Sequence, residues 1–289
     1  MVTLAHTYQG RDAARIKGWW LQPKLDGVRC TFDGQQFLSR TGKAFEPPEF
    51  WYEGTALQAL QETVGATLDG ELVCRDQIME WIEPEFDPQD YDEPRVLKNF
   101  NDVVSVVRRK RPATRDRAWS NAWEEMIFVV FDIIDVDRPY KERYADLWEC
   151  AQIEHPLLVI PVEHVIDDPR EVDDWLRESR YRGWEGVMLR NPEALYEKKR
   201  TRNLLKVKPS QDEEFTVVDV RAGTGKHEGR MGALVCERDG ETFKVGTGFT
   251  DADREDLDWI GQTITVEYFE LTPRGVPRHP RYKATRDYE

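Results

Sequence analysis

The sequence is poor in cysteine, has no long apolar stretch near its start and lacks positive net charge. The four cysteines among 289 residues, Cys30, Cys74, Cys150 and Cys236, lie far apart, and none forms a CxxC pair. That spacing argues against a structural zinc module or a disulfide framework and suits a reducing, cytoplasmic setting. The opening MVTLAHTYQGRDAARIKGWW holds no long apolar run, so neither a signal peptide nor a membrane anchor is expected. At a formal net charge of −14 the chain does not advertise nucleic-acid binding as a whole.

Hydrophobic material is plentiful. Apolar residues make up 39% of the chain, with ten Trp, ten Tyr and twelve Phe, enough to build a core although a third of the residues are charged. A disordered chain is therefore not expected, and the length suits one large or two ordinary domains. The charge is unevenly spread. Glu80 to Glu93 and Asp251 to Asp258 are acidic, whereas Arg108 to Arg117 (RRKRPATRDR) and Lys198 to Lys208 (KKRTRNLLKVK) are basic. Each run alone reads equally well as a solvated face, but a local basic patch on an acidic protein still suffices to hold a phosphate backbone.

Hydrophobic periodicity places the elements. Lys17 to Phe32 reads as two strands around a tight loop, with helices at 55–63 and 95–110 and a strand at 67–74 between them. MIFVVFDII, from Met126 to Ile134, is a nearly continuous apolar run of the kind that forms a buried central strand. Helices at 140–153 and 169–181 and strands at 157–162, 186–190 and 204–207 follow. Beyond Pro209 the pattern changes to short alternating strands (215–221, 233–238, 242–245, 263–271) with Gly-rich turns and one helix at 251–260, which suggests a small OB-type barrel. The expected division is 1–210 and 211–289.

The chemistry-bearing strings begin with Lys24-Leu25-Asp26-Gly27-Val28-Arg29. A lysine amine becomes a nucleophile only when its surroundings deprotonate it, through burial and nearby cations. Gly27 would let backbone approach a phosphate, and Arg29 would bind it. The same hexamer also fits a plain Asp-Gly turn between strands. Leu68-Asp69-Gly70-Glu71-Leu72 reads as an acidic turn inside the strand at 67–74, and its carboxylate suits a ribose hydroxyl or a metal. Phe131 suits stacking on a base or ordinary core packing, and Glu185 leads directly into a strand. Lys206 and Lys208, two apart, would share one strand face, an arrangement that an intervening phosphate explains.

Order and spacing together are far more specific than any single string. KLDGVR, SRTG, LDGELV, FVVFDI, EGVMLR and LLKVKP resemble the collinear nucleotidyltransferase motifs of ATP-dependent DNA ligases, and EGRMGALVCE, FKVGTGFTDADRE and RHPRYKATRD resemble the ligase OB domain. The resemblance implies an α+β architecture, a nucleotidyltransferase domain (ATP-grasp-like ligase adenylation domain) followed by an all-β OB-fold barrel, as in the compact two-domain phage and bacterial enzymes. No amino-terminal DNA-binding domain and no carboxy-terminal zinc or BRCT module is expected.

Under that resemblance Lys24 attacks the α-phosphate of ATP and forms a lysine–AMP adduct. Gln22, Arg29, Arg40, Glu71, Phe131, Glu185, Lys206 and Lys208 would bind the nucleotide. Within that set Glu71 would meet the ribose, Phe131 the adenine, and Lys206 and Lys208 the α-phosphate. Glu71 and Glu185 would hold Mg²⁺. Arg29, Arg40, Arg108, Arg109, Lys110 and Arg111 would contact DNA, with a nicked duplex as partner and a monomer as the working form. The family's final motif is usually of R-x-D-K type. Here Arg286-Asp287 matches in part, and Arg286 would approach the pyrophosphate. The resemblance leaves open an RNA ligase or an mRNA-capping guanylyltransferase, which share K-x-D-G. From a different class, a non-catalytic OB-fold binder also remains open.

Overall fold

Period-two alternation in the amino-terminal part of the chain folds into two sheets rather than one. In the computed structural model, residues 2–82, 97, 100–109, 117–150, 156–256, 258–269, 271–272 and 274–285 are described, and the chain divides into two units, Met1–Val207 and Lys208–Glu289. The first unit contains β1 (Leu4–Thr7), β2 (Trp20–Lys24), β3 (Val28–Phe32), β4 (Phe37–Ser39), β5 (Ala44–Phe45), α1 (Ala56–Val64), β6 (Leu68–Cys74), α2 (Met79–Ile82) and α3 (Phe100–Val107). It continues with α4 (Arg117–Glu124), β7 (Met126–Ile133), α5 (Tyr140–Cys150), β8 (Leu157–Val159), β9 (His164–Val165), α6 (Glu171–Tyr181), β10 (Gly186–Arg190) and β11 (Arg200–Val207).

One sheet has the order β1-β11-β10-β2-β9 and the other β5-β4-β3-β6-β7-β8. β7 explains how they stack. All eight of its residues are buried, and they alternate between two cores. Phe128 and Val130 face Leu57, Trp123 and Leu147 from the covering helices. Ile127, Val129 and Phe131 face Leu21, Val187 and Leu205 of the first sheet. A strand sandwiched in this way has no polar face, which is why its sequence reads as a continuous apolar run.

Two expectations change. β2 and β3 do not pair, because β2 belongs to the first sheet and β3 to the second, so residues 25–27 form a crossover between layers. LDGEL lies within a strand as expected, but without the turn: it is the uninterrupted interior of β6, where a Cβ on Gly70 would lie 2.5 Å from the Val129 carbonyl oxygen. Gly70 is thus small because β7 runs against it. β11 starts earlier than expected, at Arg200, while β1 and α4 carried no clear sequence signal. The acidic segment beyond Ile82 lies almost wholly outside the described residues.

The second unit is a five-stranded sheet of order β14-β13-β12-β15-β16, from β12 (Gln211–Ala222), β13 (Met231–Arg238), β14 (Glu241–Val245), β15 (Thr263–Tyr268) and β16 (Arg281–Thr285), with α7 (Asp251–Glu255). β12 serves two partners: its first half pairs with β15 and its second half with β13. The expected barrel is an open sheet in which Thr247, just beyond β14, meets Arg281 of β16 through an isolated bridge. Its core includes Phe215, Leu234, Val245, Trp259 and Ile264. Arg254 is buried and donates to the carbonyls of Met231, Gly232 and Gly246 at 2.9–3.0 Å. No helix among the described residues is long and apolar enough to cross a membrane.

Candidate functional site

Lys24 ends β2 where the chain leaves the first sheet. Register with β10 sets Gly186 opposite it, and the Glu185 backbone N–H donates to the Lys24 carbonyl at 2.8 Å. The Glu185 carboxylate is thereby brought to the lysine amine, and Nζ donates to its Oε2. Both side chains are partly exposed, at 18% and 22%, so a ligand has access to the pair.

The crossover is fixed by β6 and by the single helical turn, Arg75–Ile78, that follows it. The Gln77 amide grips Asp26, accepting from its N–H at 2.9 Å and donating to its carbonyl at 2.8 Å. The Gly27 N–H donates to Glu71 Oε1 at 3.2 Å. A Cβ on Gly27 would lie 2.3 Å from the Leu72 carbonyl oxygen and 2.6 Å from Val73. The close approach of β6 by itself requires the glycine. Burial raises the Glu71 pKa, with Lys24 and then Arg29 working against it.

Arg29, on β3, does not reach freely into solvent. Its Nε and Nη2 donate to Asp69 at 2.7 and 2.6 Å, and Asp69 is buried and also accepts from the Tyr196 hydroxyl at 2.6 Å. The bidentate pair fixes the plane of the guanidinium, which sits 4.5 Å over the Phe131 ring. Burial disfavours the Arg29 charge, but Asp69 more than offsets it and the pKa rises above its ordinary value.

Gln22, Lys24, Arg29, Arg40, Glu71, Phe131 and Lys206 line one cavity of about 210 Å³, together with Arg190 and Arg200. Gln22 and Lys24, two apart on β2, share its wall as strand alternation requires. Lys206 has its pKa lowered, first by burial and then by Lys24, Arg200 and Arg40. Six cations line this concavity; Arg29, Arg190 and Lys24 each meet a carboxylate, of Asp69, Asp132 and Glu185, and a polyanion such as a triphosphate answers the charge of Arg40, Arg200 and Lys206. Glu185, on the Lys24 amine, and Glu71, on the Gly27 N–H and in the cavity wall, are hard oxygen donors of the kind that suits Mg²⁺. Among the described residues no group of three or more His, Cys, Asp or Glu side chains is arranged to hold a metal by itself.

Not all the expected residues gather here. β11 ends at Val207, and Lys208, the first residue of the second unit, has its ammonium 5.5 Å over the Phe269 ring. Arg108 and Arg109 are exposed just beyond α3 and are not part of the cavity wall. Lys110, Arg111 and Arg286 lie outside the described residues.

Sequence reading missed the layer behind the cavity. Asp132 is buried and accepts from Arg143 (2.7 and 3.1 Å) and from Arg190 (2.7 Å). Arg190 lies 4.2 Å over the Tyr140 ring, and the Tyr140 hydroxyl is 3.1 Å from Gln22 Oε1. The available signals were a charged residue within the apolar run, at Asp132, and another ending EGVMLR, at Arg190. A charge inside a buried strand needs a partner, so each pointed to the other.

Family comparison gives the same two-part division of the chain. Residues 4–208 match the ATP dependent DNA ligase domain and residues 222–286 the DNA ligase OB-like domain. The chain is 31% identical over 281 residues to a DNA ligase of Haemophilus influenzae, covering 96% of this chain and 90% of that one. It is 32% identical to DNA ligase 1 of Methanosarcina mazei over 62% of this chain, but spans only 34% of that longer protein. Among solved structures, one of the Lig E DNA ligases superposes with a TM-score of 0.73 at 26% identity, covering 99% of this chain and 98% of the other.

Proposed function

The chain belongs to the ATP-dependent DNA ligase family, and from that premise we propose that Lys24 is the residue that carries AMP. One observation supports this reading above all: besides Arg29 and Arg190, each paired with a buried aspartate, the cavity that Lys24 borders holds three further cations, Lys206, Arg40 and Arg200, while Glu185 touches the Lys24 amine. Nζ attacks the α-phosphorus of ATP, the N–P bond forms, the bond to the β-phosphate oxygen breaks and pyrophosphate leaves. The proton shed by Nζ passes toward Glu185, already hydrogen-bonded to it. Lys206, Arg40 and Arg200 offset the charge that the phosphates bring. Gln22 and Phe131 face the base, and Glu71 faces the ribose. Glu71 and Glu185 would hold Mg²⁺, whose chemistry when bound is further neutralisation of phosphate charge.

AMP then moves from Lys24 to the 5′-phosphate of a nick. The N–P bond breaks as a phosphoanhydride forms, and attack by the 3′-hydroxyl expels AMP and closes the strand. Arg29, held flat by Asp69, and Arg40 are the nick-phosphate contacts on this reading. For Lys208 and Arg286 we retain phosphate contact on the sequence alone, for Arg108 to Arg111 contact with the duplex, and for the working form a monomer.

Intact mass spectrometry after incubation with ATP and Mg²⁺ tests the central assignment. Wild-type protein should gain one AMP, and Lys24→Arg none, because a guanidinium stays protonated. An adduct on Lys24→Arg removes Lys24 from its role.

A further inference from the structure

Tyr140 stands one layer behind the cavity, 1% exposed, and its hydroxyl lies 3.1 Å from two acceptors, Gln22 Oε1 and the Phe131 carbonyl oxygen. A phenol has one proton and cannot donate to both. The register of β7 indicates which acceptor has the stronger need. Asp69 faces Asp132 and Gly70 faces Val130, so Phe131 is the extra residue of a bulge and stands outside the ladder. The carbonyl of a bulge residue has to find its donor elsewhere, and Tyr140 supplies one.

The other end of Gln22 has the opposite problem. Its Nε2 is buried without a hydrogen-bond partner although the residue lines the cavity. A half-turn of the amide about its last bond exchanges two atoms of nearly equal size. Nε2 then donates to the Tyr140 oxygen, the hydroxyl proton is free for the Phe131 carbonyl, and Oε1 turns to the cavity. Every donor of the trio except one amide hydrogen is then used, and an orphaned carbonyl oxygen is better tolerated than an orphaned N–H.

We propose that Tyr140 is a positioning residue for base choice. By giving its proton to the Phe131 bulge carbonyl, it holds Gln22 with its oxygen toward the cavity, where that oxygen accepts from the exocyclic amine of adenine and repels the ring carbonyl of guanine. The inference rests on the cavity being the nucleotide site. Arg190, fixed by Asp132, packs over the Tyr140 ring and keeps the hydroxyl in place. Burial pushes the Tyr140 hydroxyl up to about 12 despite the opposing Arg190, so it stays a donor at neutral pH.

The test follows nucleotidyl transfer to Lys24 by intact mass, with ATP, GTP or purine riboside triphosphate, which lacks the exocyclic amine. Wild-type protein should use ATP at least about tenfold faster than either of the others, since a site built for a hydrogen bond rejects ligands that cannot make it. In Tyr140→Phe the Gln22 amide is free to turn, and the ATP-to-GTP ratio should fall about tenfold, mainly through faster guanylylation. Gln22→Glu, which as a carboxylate offers acceptors at both ends, should keep the preference for ATP over GTP. An unchanged ratio in Tyr140→Phe, loss of preference in Gln22→Glu, or equal use of ATP and purine riboside triphosphate by wild type would each overturn the inference. Because the last comparison uses wild type, a misfolded variant does not leave the question open. Wild-type protein that accepts no nucleotide at all on Lys24 would instead overturn the assignment of the site.

Discussion

Replacing Asp132 with Asn removes one charge from a cluster that has almost no contact with water. The side chains of Asp132 and Arg143 are each 2% exposed and that of Arg190 is 8% exposed. Asparagine keeps an oxygen for Arg143 and for the Ile133 N–H, which Asp132 Oδ1 now accepts at 2.8 Å. Its amide group, however, points hydrogens at the Arg190 guanidinium in place of an acceptor. Two buried cations then share no anion. Breaking a buried pair in this way costs about 3–5 kcal/mol, and the retained oxygen places Asn near the lower end. For a unit of this size, about 3 kcal/mol lowers Tm by about 6–12 °C. The assay is urea and thermal unfolding followed by tryptophan fluorescence, which reports chiefly on the amino-terminal unit because nine of the ten tryptophans, all but Trp259, lie within it. Asp167→Asn is the control, since it breaks an ion pair with Lys17 whose members are 73% and 80% exposed and should barely move the midpoint. A shift for Asp132→Asn below about 1 kcal/mol would refute the reasoning that Arg143 and Arg190 depend on this carboxylate.

Gly27→Ala should lower both stability and adenylylation, by about 1–3 kcal/mol or more in urea unfolding, because the new Cβ meets the backbone of β6; an adduct yield and midpoint equal to wild type would contradict this. Lys206→Gln should stabilise the free protein at neutral pH while slowing AMP transfer. The folded-state pKa of Lys206 lies below 10.5, so below that folded value its charge opposes folding, and wild-type stability rises with pH from there toward 10.5. Stability curves measured from pH 7 to pH 10.5 should therefore converge, and a variant less stable at pH 7 would show that burial and the neighbouring cations do not penalise the charged lysine. Charge reversal of Arg108 and Arg109 should weaken binding to a nicked duplex and flatten its salt dependence while leaving AMP transfer intact, as read by fluorescence anisotropy at several salt concentrations; unchanged affinity would move the DNA path elsewhere.

Much of this was legible in the strings themselves. Lys24, Glu71, Phe131 and Lys206 stood out because strand alternation and the motif order single them out, and all four reach one cavity. The strand at Met126–Ile133 was equally plain, since burial on both faces leaves an unbroken apolar run. What stayed hidden was pairing across the chain. Nothing local in KLDGVR tells that β2 and β3 enter different sheets, and an Asp-Gly pair in LDGEL looks like a turn until β7 is seen packed against Gly70. The Asp132–Arg143–Arg190 cluster brings Arg190 to a pair 58 and 47 residues earlier in the chain, and only the tertiary fold makes them neighbours.

The crossover at residues 25–27 turns layer spacing into a ruler for the chemistry. Lys24 rides on one sheet, while Arg29 and Glu71 ride on the other, so their separation is set by how thick the filling of Leu21, Val73, Val129 and Val187 holds the two layers apart. A methyl group added to or taken from that filling changes the reach of the amine without touching any group in the cavity. Adjustment of this enzyme to a colder or hotter setting therefore has a target in its aliphatic interior, where the gap between the sheets is gauged.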